Sequence, residues 1–327
     1  MSDKLSVNYF RVYMWFLMST LVRIGLGAAV RTMDAGLACP DWPLCFGDFI
    51  PDYHPQVYLE FIHRALAGVI GIFTFILSGM ILRKKGISKS TKYLCIFSFF
   101  LLMFQVVLGG LTVLWLLHDK VVTAHLAMGT GFFALMYWIY WSAKYEVGPD
   151  SQKIQQSVGP SAALLVWPAL FVMLAVYGQI ILGGLVASNY AALACTDFPL
   201  CHGKFIPTLS GPVGLQVIHR LGAYALTAII IAYFIYVHKK TQDIESRGTA
   251  KYLLAALIVQ FCIGIANVLL YTPPLVTVAH LVMGAILLVL AGKAFHRAIW
   301  AQALKSGCAS GEAAANSGSD LAFSSAR

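Results

Sequence analysis

The chain has 327 residues, of which 59% are hydrophobic and only 11% are charged, and its mean hydropathy is +0.76. A soluble domain carries about 25% charged residues, so this composition excludes an ordinary globular protein and reads as an integral membrane protein. The net charge of +9 does not point to nucleic acid. Its basic residues sit in short runs between apolar stretches, as in loops that face anionic lipid.

Eight apolar runs approach the length needed to cross about 30 Å of hydrocarbon. In chain order they are 10–31, 57–82, 93–117, 120–143, 162–187, 213–238, 251–271 and 275–297. Backbone in lipid must satisfy its own hydrogen bonds, and the alternation of a barrel strand is absent, so all eight are predicted to be helices. The first run lacks the small-residue cleavage site of a signal peptide and is taken as span 1. Arg83, Lys84, Lys85, Lys89 and Lys92 follow span 2, and Lys239, Lys240, Arg247 and Lys251 follow span 6. The outer connections offer only Arg31, Lys120 and Lys204. The positive-inside rule therefore predicts cytoplasmic termini in a cell inner (plasma) membrane, with the loops after spans 1 and 5 in the periplasm or outside the cell.

Those two loops are nearly the same peptide. "LACPDWPLCFG" occupies 37–47 and "LACTDFPLCHG" occupies 193–203, so Cys39 and Cys195 stand 156 positions apart. His63 and His219 share that offset, and His125 and His280 stand 155 apart. "QVVLGGL" at 105–111 likewise resembles "QIILGGL" at 179–185, and Gln260 opens "QFCIGIA". The predicted fold is an all-α integral membrane protein with eight spans, arranged as two tandem four-helix bundles. An even number of spans per unit makes the repeat parallel rather than inverted. The expected division is an N-terminal half at 1–145, a polar linker at 146–161, a C-terminal half at 162–305 and a disordered tail at 306–327, where Cys308 is an inert thiol.

His63, His125, His219 and His280 each follow the outer start of an even-numbered span by five or six residues. Spans 2 and 4 run in the same direction, as do spans 6 and 8, so each pair lies at one depth and can face across its bundle. The bland reading is a packing histidine bonded to a neighbouring helix. Four at matched depth favour two pairs of axial ligands for haem iron, since neutral imidazole ligates metals and helix bundles hold cofactors this way. Zinc fits less well, because it wants at least three protein ligands. Glu60 lies one turn outward of His63, where the second half has Gln216, and this asymmetry suggests that only one site does chemistry. The bland alternative leaves Glu60 solvated or paired with Arg64 or Arg31. Arg64 and Arg220 suit haem carboxylates or lipid headgroups. Arg23, in mid-span, must snorkel, pair or touch a bound group. Glycines at 25–27, 109–110 and 183–184 allow close helix approach or room for a flat macrocycle. His54, His118, His202, His238 and His296 are expected to be solvated, and Cys95 and Cys262 to act as small hydrophobes. Each C-x5-C pair, Cys39 with Cys45 and Cys195 with Cys201, is expected to form a disulfide in an oxidising compartment. It would stiffen a lid over the pocket, with thiol exchange as the lesser alternative.

Taken in order, "GLACPDWPLCFG", "YLEFIHR", "VVTAHLAMG", "QVIHR" and "TVAHLVMG" resemble the haem A synthase family across residues 10–300. The resemblance implies an eight-helix oxidoreductase that turns haem O into haem A for terminal oxidases. In it the C8 methyl becomes a formyl group by successive oxygen-dependent hydroxylations. It implies that His63 and His125 hold the haem O substrate with Glu60 as the essential carboxylate, and that His219 and His280 ligate a resident haem b. Haem O synthase and terminal-oxidase assembly factors are implied neighbours beside membrane lipid, and a homo-oligomer is a further option. Two other classes remain open on the residues alone. One is a non-catalytic di-haem cytochrome b relaying electrons from quinol. The other is a transporter, which the absence of a broken helix pair disfavours.

Overall fold

Small polar residues and prolines set where the helices begin. In the computed structural model, which describes residues 5–322 and side chains through 306, Ser6 accepts the N–H of Tyr9 at the start of α1 (Val7–Thr32) and Ser88 that of Thr91 at the start of α3 (Lys89–Leu114). Proline occupies the first turn of α2 (Pro55–Leu82) and of α7 (Gly211–Lys240), where its missing N–H costs no intrahelical bond. The remaining elements are α4 (Asp119–Val147), a short α5 (Ser151–Gln156), a 3-10 turn (Pro160–Leu165), α6 (Val166–Ser188), α8 (Ile244–Leu269) and α9 (Pro274–Ala322). Eight of the described helical segments are long and apolar enough to cross a membrane.

The helices outrun the hydropathy at several ends. α8 begins at Ile244 rather than 251, because Asp243 caps a polar first turn that hydropathy does not score. α3 stops at Leu114 rather than 117, since Leu116 and Leu117 adopt positive φ and turn the chain into α4. The linker holds α5 and the 3-10 turn. The tail thiol Cys308 and the side chains after 306 lie outside the described residues.

Packing closes two rings. α1 meets α2, α2 meets α3, α3 meets α4, and α4 returns to α1; α6, α7, α8 and α9 close in the same way. The rings touch through α1 against α9 and α4 against both α6 and α9. Buried aromatics in the first ring spend their hydroxyls on helix carbonyls, Tyr9 on Leu77 (3.0 Å) and Tyr13 on Met136 (3.1 Å). A polar group in lipid needs such a partner.

Arg297 locks the end opposite the cysteine loops. It is 2% exposed, donates twice to Asp243 at 2.6 Å, bonds Glu245 and Tyr145, and reaches the Ser157 carbonyl of the linker at 2.9 Å. One guanidinium thus joins α4, the linker, the start of α8 and α9. His296 beside it is a correction. Expected to be solvated, it is 3% exposed, bonded to Ser142 (3.0 Å) and Trp300 (3.1 Å). α9 continues past 297 and keeps this turn packed on α4. Among the mid-span cysteines, Cys95 is buried and Cys262 is exposed on the outer face of α8.

Burial pushes the Asp243 carboxyl up, but Arg297, the Gly159 N–H and Ser246 outweigh it and hold it at about 2. A depressed carboxyl contributes stability above its ordinary titration range and loses it as pH falls toward its folded value. Arg297→Ala should cost about 3–5 kcal/mol, the toll of stranding a buried partner. Thermal unfolding in detergent should show this deficit at neutral pH, and the gap to wild type should narrow as pH falls toward about 2.

Candidate functional site

The repeated cysteine loop is a folded cap. Asp41 accepts the N–H groups of Phe46 (2.7 Å) and Gly47 (2.8 Å), and Asp197 accepts those of His202 (3.2 Å) and Gly203 (3.3 Å). The last two residues of each turn lie in the left-handed region, at φ 56° and 81° in the first loop and 51° and 74° in the second. Glycine adopts that region without strain, which accounts for the shared final residue of the motif. The disulfides Cys39–Cys45 and Cys195–Cys201 are both formed, with Cα–Cα distances of 4.8 and 5.0 Å. The Gly47 N–H above all, with that of Phe46, holds the Asp41 carboxyl below the usual carboxylate range.

Arginine clamps each cap to the helix beneath. Arg64 donates to the carbonyls of Asp41 (2.7 Å), Leu44 (2.7 Å) and Cys39 (3.2 Å). Arg220 reaches Leu200 (2.8 Å) and Cys195 (2.7 Å) in the same manner. These guanidiniums are engaged with loop carbonyls rather than lying free at the surface. Glu60 is 4% exposed, pairs with Arg64 through Oε1 at 2.5 Å and accepts the Cys39 N–H through Oε2 at 2.9 Å. Its counterpart Gln216 donates to the Ala192 carbonyl at 3.2 Å. Arg31 does not take part: it bonds the Ala187 carbonyl at 3.1 Å and lies 4.1 Å over the Tyr190 ring, linking α1 to the end of α6.

One turn inward of Glu60 the histidines appear. His63 and His219 are the ninth residues of α2 and α7, and His125 and His280 the seventh of α4 and α9. This places them about 9–12 Å along their axes from the loop end. Each ring lies against a glycine of the preceding helix. A β-carbon would fall 2.9 Å from His63 Cε1 at Gly27, 3.1 Å from His125 at Gly109, 3.1 Å from His219 at Gly183 and 3.0 Å from His280 at Gly264. Glutamines one turn earlier support three of them. Gln105 donates to the His125 carbonyl (2.9 Å) and Gln179 to that of His219 (2.8 Å), while Gln260 approaches the His280 ring at 3.4 Å. The repeat Q-x3-G was the sequence signal for these supports, but it names no partner until the helices are packed. The first quarter has Arg23 in the glutamine's place.

The second pair suits a metal gripped from two sides. His219 and His280 have ring centroids 6.5 Å apart, a gap that two nitrogen–metal bonds of about 2 Å can bridge. Nδ1 of His63, His125 and His280 is buried without a partner. Such orphaned nitrogens are rare unless a ligand satisfies them. No cluster of three or more metal-ligating side chains occurs among the described residues.

The COX15-CtaA family model, described as cytochrome oxidase assembly protein, matches residues 10–57 and 50–291. The chain belongs to this family. A curated relative from Shewanella oneidensis, named Heme A synthase, is 30% identical over 81% of this chain and 88% of its own length. Relatives of the same name from Halalkalibacterium halodurans (30%, 82% of this chain, 91% of its own length) and Shouchella clausii (28%, 76% and 83%) align comparably.

The cap predicts a local effect. Asp41→Ala removes the acceptor for two turn amides and should loosen the turn, as loss of a capping side chain frays a helix end. Hydrogen exchange at Phe46 and Gly47 should speed up several-fold, while amides of the second loop should be unchanged.

Proposed function

We propose that this chain is a haem A synthase, a membrane oxidoreductase that converts haem O to haem A. Within that activity, His63 and His125 hold the substrate haem, and His219 with His280 holds a haem b. The observation that carries this assignment is the fourfold setting of an imidazole on a glycine, with two opposed rings 6.5 Å apart. Haem b supplies one-electron redox chemistry when bound. The chain orients each imidazole: the glycines let the Cε1 corner of each ring approach the neighbouring helix, and the glutamines support three of the four histidine turns.

Glu60 gives the two sites different chemistry. It is held one turn outward of His63, tied to Arg64 and to the disulfide loop. A carboxylate there can stabilise positive charge developing at a carbon under oxidation, or take the proton that leaves it. Gln216 can do neither. Arg64 serves this reading by holding Glu60 and the cap together, and Arg220 by holding the second cap. The polar caps close both pockets at one end of the bundle, the end we place outside the cell from the Lys and Arg distribution.

Glu60→Ala should retain both haems yet yield no formyl product; the pyridine haemochrome spectrum and haem chromatography of extracted pigment read both. Normal haem A output from that variant would remove Glu60 from the reaction, and a wild-type extract holding only haem b would reject the synthase reading. Gly264→Leu should displace His280 and cost one haem, leaving the other half loaded.

A further inference from the structure

Arg23 is the one departure from the fourfold pattern. The helices that face a histidine read R-x3-G at 23–27 but Q-x3-G at 105–109, 179–183 and 260–264. Its guanidinium lines a cavity with Thr20, Gln105 and the apolar side chains of Ile24, Ile70 and Phe132, and no carboxylate lines that cavity. Nε is buried without a partner, and the side chain makes no ion pair among the described residues. It stands one turn from Gly27, which meets His63, and shares its cavity with Gln105, which bonds the His125 carbonyl. An unpaired cation inside a membrane span is expensive, and a neutral glutamine meets the structural need at the other three places.

The charges that hold the two caps match. Arg64 and Arg220 clamp equivalent loops, and Asp41 and Asp197 cap equivalent turns. Three charges near the first site have no counterpart: Glu60, replaced by Gln216, Arg31, replaced by Ala187 and spent on the Ala187 carbonyl and the Tyr190 ring, and Arg23, replaced by Gln179. The extra carboxylate sits at the outer turn and the Arg23 guanidinium one turn inward of the histidine level. A negative charge near a haem disfavours its reduced form and a positive charge favours it, more strongly where the dielectric is low. Glu60 is already partnered by Arg64, whereas Arg23 makes no ion pair among the described residues.

Resting on the placement of haem between His63 and His125, we propose that Arg23 raises the reduction potential of the substrate haem. A haem held there would stay reducible beside the Glu60 carboxylate.

Spectroscopic redox titration of the purified, haem-loaded protein tests this. Arg23→Gln should shift the midpoint of the N-terminal haem downward and leave the C-terminal haem unmoved; Arg23→Lys should retain most of the wild-type value. Gln179→Arg should raise the C-terminal midpoint, which decides the matter if Arg23→Gln loads poorly. An unmoved N-terminal midpoint in a fully loaded Arg23→Gln protein, or an unmoved C-terminal midpoint in Gln179→Arg, overturns the proposal. His63→Ala separates the underlying assignment: retention of both haems in that variant defeats the haem placement itself, whereas loss of one haem upholds it whatever Arg23 does.

Discussion

The contact between an imidazole and a bare glycine backbone, made four times, is the constraint on which the rest of the molecule depends. At Gly27 a β-carbon would force the ring opposite to shift, and at Gly109, Gly183 and Gly264 it would crowd that ring. These are the levels at which consecutive helices must approach closely, and close approach without a β-carbon is how membrane helices associate when lipid offers no hydrophobic drive. The same contact turns each ring toward the interior of its bundle. Helix packing and ligand geometry are therefore one feature.

Charge is distributed accordingly. Ionic groups collect at the two ends of the bundle, where they join elements distant in sequence. Arg297 gathers Asp243, Glu245, Tyr145 and the Ser157 carbonyl at one end. Arg64 gathers Glu60 and three loop carbonyls at the other. Both guanidiniums use their planar fork to satisfy several acceptors at once, which a lysine cannot do. Between these ends the interior is nearly uncharged, so a single guanidinium at Arg23 carries weight there that it would not have at the surface.

Much of the architecture was legible from local properties. Hydropathy found all eight spans, because the thickness of the hydrocarbon sets a length that composition must fill. The duplicated loop announced its disulfides and its turn, since Asp, Pro and Gly each answer a local backbone demand. Histidine depth followed from helix rise alone. Other features were not legible. His296 looked like a solvated helix end and is enclosed by α4, and Arg64 and Arg220, read as suiting haem carboxylates or lipid headgroups, also clamp the loops above them. Neither outcome has a local signal, because each depends on which surface folds back over the residue.

The sequence by itself determined the class of protein, the helices, the repeat and the level of each histidine, because these rest on period, length and composition along one chain. Tertiary structure alone decided that each ring meets a glycine, that Glu60 is bound to the cap through Arg64 and the Cys39 amide, and that Arg23 opens into a cavity with Gln105. Such pairings join residues on different helices. Their partners are chosen by how ridges, small residues and loops fill shared space, which no single stretch of chain encodes.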